Sequence, residues 1–596
     1  MPLTYAPRRC AKCERDGVAA KETTVKARLR VALGQCSEEG RKPINQDFHG
    51  AYLPDEPQLS NKGIVVALAD GISTSTVSQV ASAAAVRSFI EDYYCTAESW
   101  TVKTAAQRVL TATNSWLHAQ TRRSEYRWDK DRGYVCTFTG MVFKSRTLHV
   151  FHVGDARLYR ATGDGLEPLT REHRTWVASD RSYLSRALGV SEQLEIDYLA
   201  VPITAGDRFL LMTDGIYEYL SEARMSAILA EHENDLDAAA RALVEAAYES
   251  GSDDNLTVQV VRVEEVPLGH AGELHGGDSA LPFPPQLEPR MCFDGYRIVR
   301  QVHASQRSHA FLAVDLDTTE RVLLKTLATE LREDPAHVER FLMEEWIARR
   351  IDSPHVVKAY RAERRRRYLY SVTEYIEGCT LAQWQRDNPA PELEAVRTIV
   401  EQVARGLRAF HRLEMVHQDV RPENVMIDDT GHATLIDFGS VRVVGIAESR
   451  PGQDGDLLGT AAYTAPECFL GEPATPRSDQ FSLAVMAYRL LTGALPYGTQ
   501  VAKTRTRAAQ HRLAYHSALA VNRDLPPWLD EVLKKALHPQ PERRFEALSE
   551  FTHELRKPSA MFLKKSRPPL LERDPVLFWK GVSAVLLGIV LFLLLE

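Results

Sequence analysis

Residues 417–439 read HQDVRPENVMIDDTGHATLIDFG, and this stretch decides how the second half of the 596-residue chain is read. Upstream, VLLKTL (322–327) is a strand-like run with Lys325 inside it, where a lone ammonium is costly without partners. RFLMEEWIARRIDSPHVV (340–357) reads as an amphipathic helix whose Glu344 can supply one. YLYSVTEYIEG (368–378) reads as a strand running into a hinge, with Thr373 at its gate and Glu374–Ile376 offering backbone groups. Downstream lie GTAAYTAPE (459–467), SDQFSLAV (478–485) and PERRF (541–545). A lone Asp-Phe-Gly says little. These segments in this order say much.

The order resembles the protein kinase family, over roughly residues 294–555. The resemblance implies a two-lobed fold, ATP and Mg²⁺ as cofactors, and Ser/Thr hydroxyls of proteins as substrates. By it, Lys325 holds the α/β-phosphates, Glu344 fixes Lys325, and Asn424 and Asp437 hold Mg²⁺. Asp419 orients the substrate hydroxyl and accepts its proton, while Arg421 keeps a cation near the γ-phosphate. Glu374 and Ile376 face adenine, Thr460 fits the Ser/Thr-specific peptide loop, and Arg544 pairs with Glu467. Two departures stand out. The phosphate-covering loop VHASQRSHAF (302–311) has His303, Ser305 and Ser308 where glycines are expected, and Cβ atoms obstruct the approach of backbone amides to phosphate. Gln418 replaces the arginine before the catalytic Asp, which implies that phosphorylation of the activation loop is not needed to switch the kinase on.

In the first half, acidic residues end strands and open turns: Asp47 after GRKPINQ, Asp70-Gly71 after IVVALA, Asp155 after HVFHVG, Asp214-Gly215 after RFLLMT, and Asp254-Asn255 before LTVQVV. Carboxylates at several strand ends can converge on one sheet edge, and oxygen-only ligation suits Mg²⁺ or Mn²⁺ rather than zinc. Two such ions can activate water for a phosphoryl displacement. This order resembles the metal-dependent protein phosphatase (PPM) family, which acts on phosphoserine and phosphothreonine, and the likeness covers roughly residues 27–265. It implies a β-sandwich flanked by helices. It also implies that Asp70 bridges two metals, that Gly71 gives a carbonyl, that Asp214 and Asp254 complete one ion, and that Asp47 serves the other. Asp155 and Glu218 match an optional third metal. Here too there are departures: Ile72–Ser75 replaces a Gly-rich stretch with a histidine acid, and Arg41 and Lys42 stand near the place of the phosphate-binding arginine.

The rest of the chain sets the frame. Apolar residues make up 44% and charged residues 26%, an ordinary globular balance, and a net charge of -7 argues against nucleic acid as a partner. Eight scattered cysteines are no disulfide framework; Cys10 and Cys13 lack the second pair that a zinc site needs. The predicted multidomain α+β organisation is a tail (1–26), phosphatase (27–265), Gly/Pro-rich linker (266–292), kinase (293–556), basic linker (557–575) and transmembrane helix (576–595). The last expectation rests on VLFWKGVSAVLLGIVLFLLL, whose only charge is Lys580. With the basic residues before it, the run predicts a single-pass anchor in the inner membrane and the lipid bilayer as a partner, with the catalytic domains in the cytoplasm. Arg364–Arg367 reads as a solvated loop or a docking patch. The leading reading is a bifunctional kinase and phosphatase; the alternative is a working phosphatase beside a pseudokinase that senses nucleotide.

Overall fold

The structure, a computed structural model, describes residues 28–162, 165–178, 181–267, 281–305, 307–362, 364–446, 461–558, 562–563 and 575–595. Cys10, Cys13 and Thr460 lie outside them, as do parts of both linkers. The chain divides into two compact units. The first holds Met1–Leu68, Thr139–Tyr183 and Asp197–Gly277; the second holds Ala69–Phe138, Leu184–Ile196 and Asp278–Glu596.

The strands of the first unit, some ending a residue inside the second, are β1 (Arg30–Glu38), β2 (Phe48–Tyr52), β3 (Ile64–Ala69), β4 (Phe138–Lys144), β5 (Thr147–Val153), β6 (Arg157–Thr162), β7 (Gly165–Pro168), β8 (Arg174–Ala178), β9 (Arg181–Leu184), β10 (Asp197–Pro202), β11 (Arg208–Met212) and β12 (Leu256–Glu265). They form two five-stranded sheets, β1-β12-β11-β6-β7 and β10-β5-β4-β3-β2, with β8 and β9 paired apart. The sheets face each other across one core that includes Val66, Phe143, Leu158, Phe209 and Val261. Phe143 and Phe209 meet edge-on at 5.8 Å. The helices of the first unit are α1 (Gln58–Lys62), α4 (Asp214–Tyr217), α5 (Glu222–Glu231) and α6 (Leu236–Glu249); α2 (Ser78–Cys95) and α3 (Val102–Arg123) belong to the second unit. Helix α6 buries Leu236, Ala239, Ala240, Leu243, Val244 and Ala247, a helical stripe laid on the outer face of the β11–β12 sheet, and Asp235 caps it by accepting from the Ala238 amide.

Register brings the acids together. Met212 pairs with Val258 and with Arg157, so the chain leaves β11 toward Asp214 where β12 begins after Asp254 and β6 begins after Asp155. The bond from the Thr213 amide to the Thr257 carbonyl (3.1 Å) continues that ladder to the edge.

The later part of the second unit opens with a five-stranded sheet, β13 (Cys292–Phe293), β14 (Tyr296–Ala304), β15 (Ser308–Asp315), β16 (Arg321–Leu327) and β17 (Ser371–Glu374), in that order. Helix α7 (Pro335–Arg350) follows β16; it is capped by Asp334 and ends at Ile351, short of the helix expected to 357. Helices α8 (Leu381–Asp387), α9 (Leu393–Arg412) and α10 (Pro476–Thr492) build the second lobe around short strands β18 (Gly378–Thr380), β19 (Met415–Val416), β20 (Val425–Asp428), β21 (Ala433–Leu435) and β22 (Arg442–Val443). Helix α10 is buried at almost every position, starts on a Thr475/Ser478 capping box, and stops at Gly493 in the left-handed region. The Arg364–Arg367 run is a loop whose alternate residues differ: Arg365 and Arg367 are exposed, as a solvated loop requires, while Arg364 and Arg366 turn inward. Arg364 pairs with Asp315 and Asp317, Arg366 with Glu345, and Arg367 with Asp294.

The expected transmembrane helix, and with it the bilayer contact and the inner-membrane anchor, is corrected. Residues Pro575–Leu595 are helical, but among the described residues no helix is long and apolar enough to cross a membrane.

Candidate active sites

Lys325 sits on β16 between Ala310 and Ser371. Its Nζ donates to Glu344 Oε1 at 2.6 Å and to Asp437 Oδ1 at 3.0 Å. Burial works against the ammonium, but Asp437 and Glu344 outweigh it and hold Lys325 charged above its ordinary range. Lys325 in turn keeps Asp437 far below the usual carboxylate range, while burial pushes Glu344 up to about 7, so Asp437 carries the firmer charge. Asp437 has φ +68, a left-handed position that turns the chain toward the site.

The β20–β21 hairpin pairs Val425 with Leu435, which sets Asn424 beside the approach to Asp437; the Ile436 amide donates to the Asn424 carbonyl. Asn424 Nδ2 donates to Asp419 Oδ2 at 2.8 Å and to the Asp419 carbonyl at 2.9 Å. Arg421 Nε lies 3.5 Å from the same Oδ2, and Asp419 Oδ1 is buried with no hydrogen-bond partner. The loop that carries Asp419 hangs on Asp479, which accepts from the His417 and Gln418 amides and pairs with His411. Arg544 and Glu467 form a fully buried bidentate pair at 2.7 and 2.8 Å. Glu374 spends its amide on the Lys358 carbonyl, and Ile376 lies in the connection to β18. In the β14–β15 turn, His303 pairs with Ala310. There Ser305 Oγ accepts from the Arg307 and Ser308 amides at 3.2 and 3.1 Å, which fold the turn onto itself.

In the first unit, Arg174 gathers three of the expected acids. Its Nε is 2.7 Å from Asp155, and its two terminal nitrogens reach Asp214 at 2.7 Å and Glu218 at 2.6 Å. Even so, burial, Asp155 and Asp254 push Asp214 up to about 8. Asp254 meets Lys42 at 3.4 Å. Asp47 is buried and accepts from Thr213 Oγ1 at 3.0 Å, one residue from Asp214. Arg41 points elsewhere: it donates to the carbonyls of Tyr248 and Ser252 and lies over the Tyr248 ring. Asp70 and Gly71 open the second unit, where the Asp70 amide donates to Thr137 Oγ1 and Gly71 bridges Cys136. Among the described residues no three His, Cys, Asp or Glu side chains form a ready metal cage. Arg174 and Asp479 escaped the sequence reading because nothing in TREHRTW or SDQFSLAV sets their partners apart.

Residues 296–555 match the family model described as protein kinase domain, and residues 37–248 match that of protein phosphatase 2C. The chain joins a phosphatase 2C domain to a protein kinase domain. Among curated relatives of the kinase domain, the serine/threonine-protein kinase PknL of Mycobacterium tuberculosis (strain CDC 1551 / Oshkosh) is 32% identical over 263 residues, 44% of this chain and 64% of PknL. The probable serine/threonine-protein kinase pknA2 of Bifidobacterium longum (strain NCC 2705) is 33% identical over 214 residues, 35% of this chain and 28% of the relative. The chain thus spans less than two thirds of either. The phosphatase domain is similar to the solved catalytic domain of the serine threonine protein phosphatase PstP in complex with two manganese ions, at 23% identity and TM-score 0.33, over 40% of this chain and 99% of that one. Kinase domains of this class use ATP with Mg²⁺, and phosphatase 2C domains are metal-dependent.

Proposed function

We propose that both domains are active: the chain transfers the ATP γ-phosphoryl group to Ser/Thr hydroxyls of proteins and hydrolyses phosphoserine and phosphothreonine. The observation that carries this reading is the Lys325 ammonium held at once by Glu344 and Asp437, an arrangement a decayed kinase has no reason to keep. In the transfer, Lys325 neutralises phosphate charge and Glu344 fixes the lysine. Asp419 takes the hydroxyl proton on Oδ1, because Oδ2 is engaged by Asn424 and Arg421. Asn424 and Asp437 fit Mg²⁺ with their oxygen donors.

Asp47, Asp214 and Asp254 of the first unit fit a hard divalent ion, and the resemblance to the phosphatase family gives Asp70 and Gly71 a metal-binding role as well. All are oxygen donors, and the crowding that pushes Asp214 up is relieved by cations. Mg²⁺ or Mn²⁺ bound there supplies an activated water and charge stabilisation. Thr213 orients Asp47, and Lys42 is the nearer of the two candidate phosphate cations. Asp155 and Glu218 are each engaged by Arg174, which competes with a third ion for them.

The Ser305 cap on the loop amides favours the second reading, a nucleotide-sensing pseudokinase. One experiment separates the two. In Asp70→Ala, γ-labelled ATP deposits phosphate on the chain or on a generic protein substrate, and Asp70→Ala/Asp419→Ala deposits none. No label on either, with nucleotide still bound, replaces the first reading with the second. Hydrolysis of p-nitrophenyl phosphate with Mn²⁺ tests the phosphatase; its absence in the unaltered chain refutes that half.

A further inference from the structure

Helix α7 has a second face. At about 100° per residue, Glu339, Leu342, Trp346 and Arg350 form a stripe opposite Glu344. Within the second unit that stripe is covered by α2 and α3, the helices that follow Asp70-Gly71. Arg350 Nε meets Asp92 of α2 at 2.8 Å, with both side chains close to fully buried. Trp346, with no exposed surface, meets Trp100 at a ring separation of 5.9 Å. Arg108 of α3 lies over Trp100 and pairs with Glu339.

The same helices reach the other lobe. Trp116 Nε1 donates to the Arg412 carbonyl at the end of α9 (3.1 Å), and Arg123 forms a two-point pair with Glu414 at 2.6 and 3.1 Å. Gly445, six residues past Gly439, has φ +86 and passes so close to α3 that a Cβ there would strike Ser115 Oγ. Helices α2 and α3 therefore touch three parts that must be in register for phosphoryl transfer: the helix carrying Glu344, the turn before Asp419 and the segment after Asp437.

We propose that the α2–α3 pair is a built-in positioning element of the kinase, gripping α7 from behind so that Glu344 stays on Lys325. This rests on the kinase reading above. Asp92, Trp100 and Arg108 are positioning residues, since they act through α7. A face bearing Trp346 and Arg350 needs such a cover: bare, it exposes a large ring, and half-covered it strands a buried charge.

The test uses the full chain and exchanges charges rather than deleting them. Asp92→Arg and Arg350→Asp each lower kcat for phosphate transfer to a generic protein substrate by about tenfold or more, with a smaller change in KM for ATP. Each also speeds amide exchange over residues 335–350, read by mass spectrometry, while Mn²⁺-dependent p-nitrophenyl phosphate hydrolysis persists. The double exchange restores both rate and protection. Arg108→Gln, a milder change giving a smaller loss in the same two readouts, decides the matter if the buried exchanges do not fold. Unchanged rate and exchange in the single variants, or a double variant as impaired as they are, overturns the proposal. An unaltered chain that transfers no phosphate refutes the kinase reading alone, because exchange over α7 still reports whether α2 and α3 hold it.

Discussion

In the kinase site one lysine meets two acids, and the acids come from different elements, α7 and the turn after β21. In the phosphatase site one arginine meets three acids while a fourth, Asp254, leans on Lys42. The first arrangement closes on itself: Lys325 is held charged, and Asp437 is held ionised by it. The second keeps a surplus of negative charge, which is why Asp214 is pushed up to about 8 despite the guanidinium beside it. The kinase lysine and its acids thus hold one another in place within the protein, whereas the phosphatase edge keeps negative charge that hard divalent ions would balance.

Four changes break or sharpen this contrast. The largest is Asp419→Asn, which keeps the Asn424 contact but removes the base; phosphate transfer falls by about 10²–10⁴-fold while p-nitrophenyl phosphate hydrolysis is unaffected. Next is Arg174→Ala, which leaves Asp155 and Glu218 uncompensated and lowers stability by about 3 kcal/mol in chelator. Added Mn²⁺ recovers most of that loss, and calorimetric titration counts one more Mn²⁺ per chain than in the unaltered protein.

Acid separates the two sites further. Burial first, then the neighbouring His173, lowers His152 to about 4 from an ordinary value of 6.5. The unfolded chain therefore takes up the proton before the folded one, so the stability this residue contributes is full above pH 6.5 and lost as pH falls toward 4. Between pH 7 and 5 urea melting of the sandwich loses about 2 kcal/mol, and His152→Gln shrinks the difference. In the kinase site the depressed Asp437 has the opposite character, with its ion pair kept through that window. The smallest effect is Ser305→Gly. It frees the Arg307 and Ser308 amides from the Ser305 hydroxyl and lowers KM for ATP by about threefold to tenfold, read from initial rates.

Much of this was legible in the chain because the chemistry sits at strand ends and short fixed offsets. Asp214 and Asp254 close and open apolar runs, and antiparallel register brings such ends together. Lys325 inside VLLKTL announced partners before any were seen. What stayed hidden is long-range pairing of charge. Arg364 and Arg366 looked like loop cations, yet their acids lie up to 49 residues upstream. Arg174 sits 40 residues from Asp214 with no periodic signal to join them. The apolar run after 575 misled for another reason: it is helical, yet among the described residues no helix is both long and apolar enough to cross a membrane.

The Trp100–Trp346 contact bears on how this protein can be taken apart. The sequence suggests a chain to be cut between 266 and 292, yielding two separate enzymes. A cut there also asks Trp346, with no surface in contact with water, to face solvent on one fragment and Trp100 to do so on the other. Each fragment inherits an adhesive patch that the whole chain does not have. Expressed alone, either half is a poor stand-in for its behaviour in the intact molecule; expressed together, the halves carry a matched surface with which to find each other again.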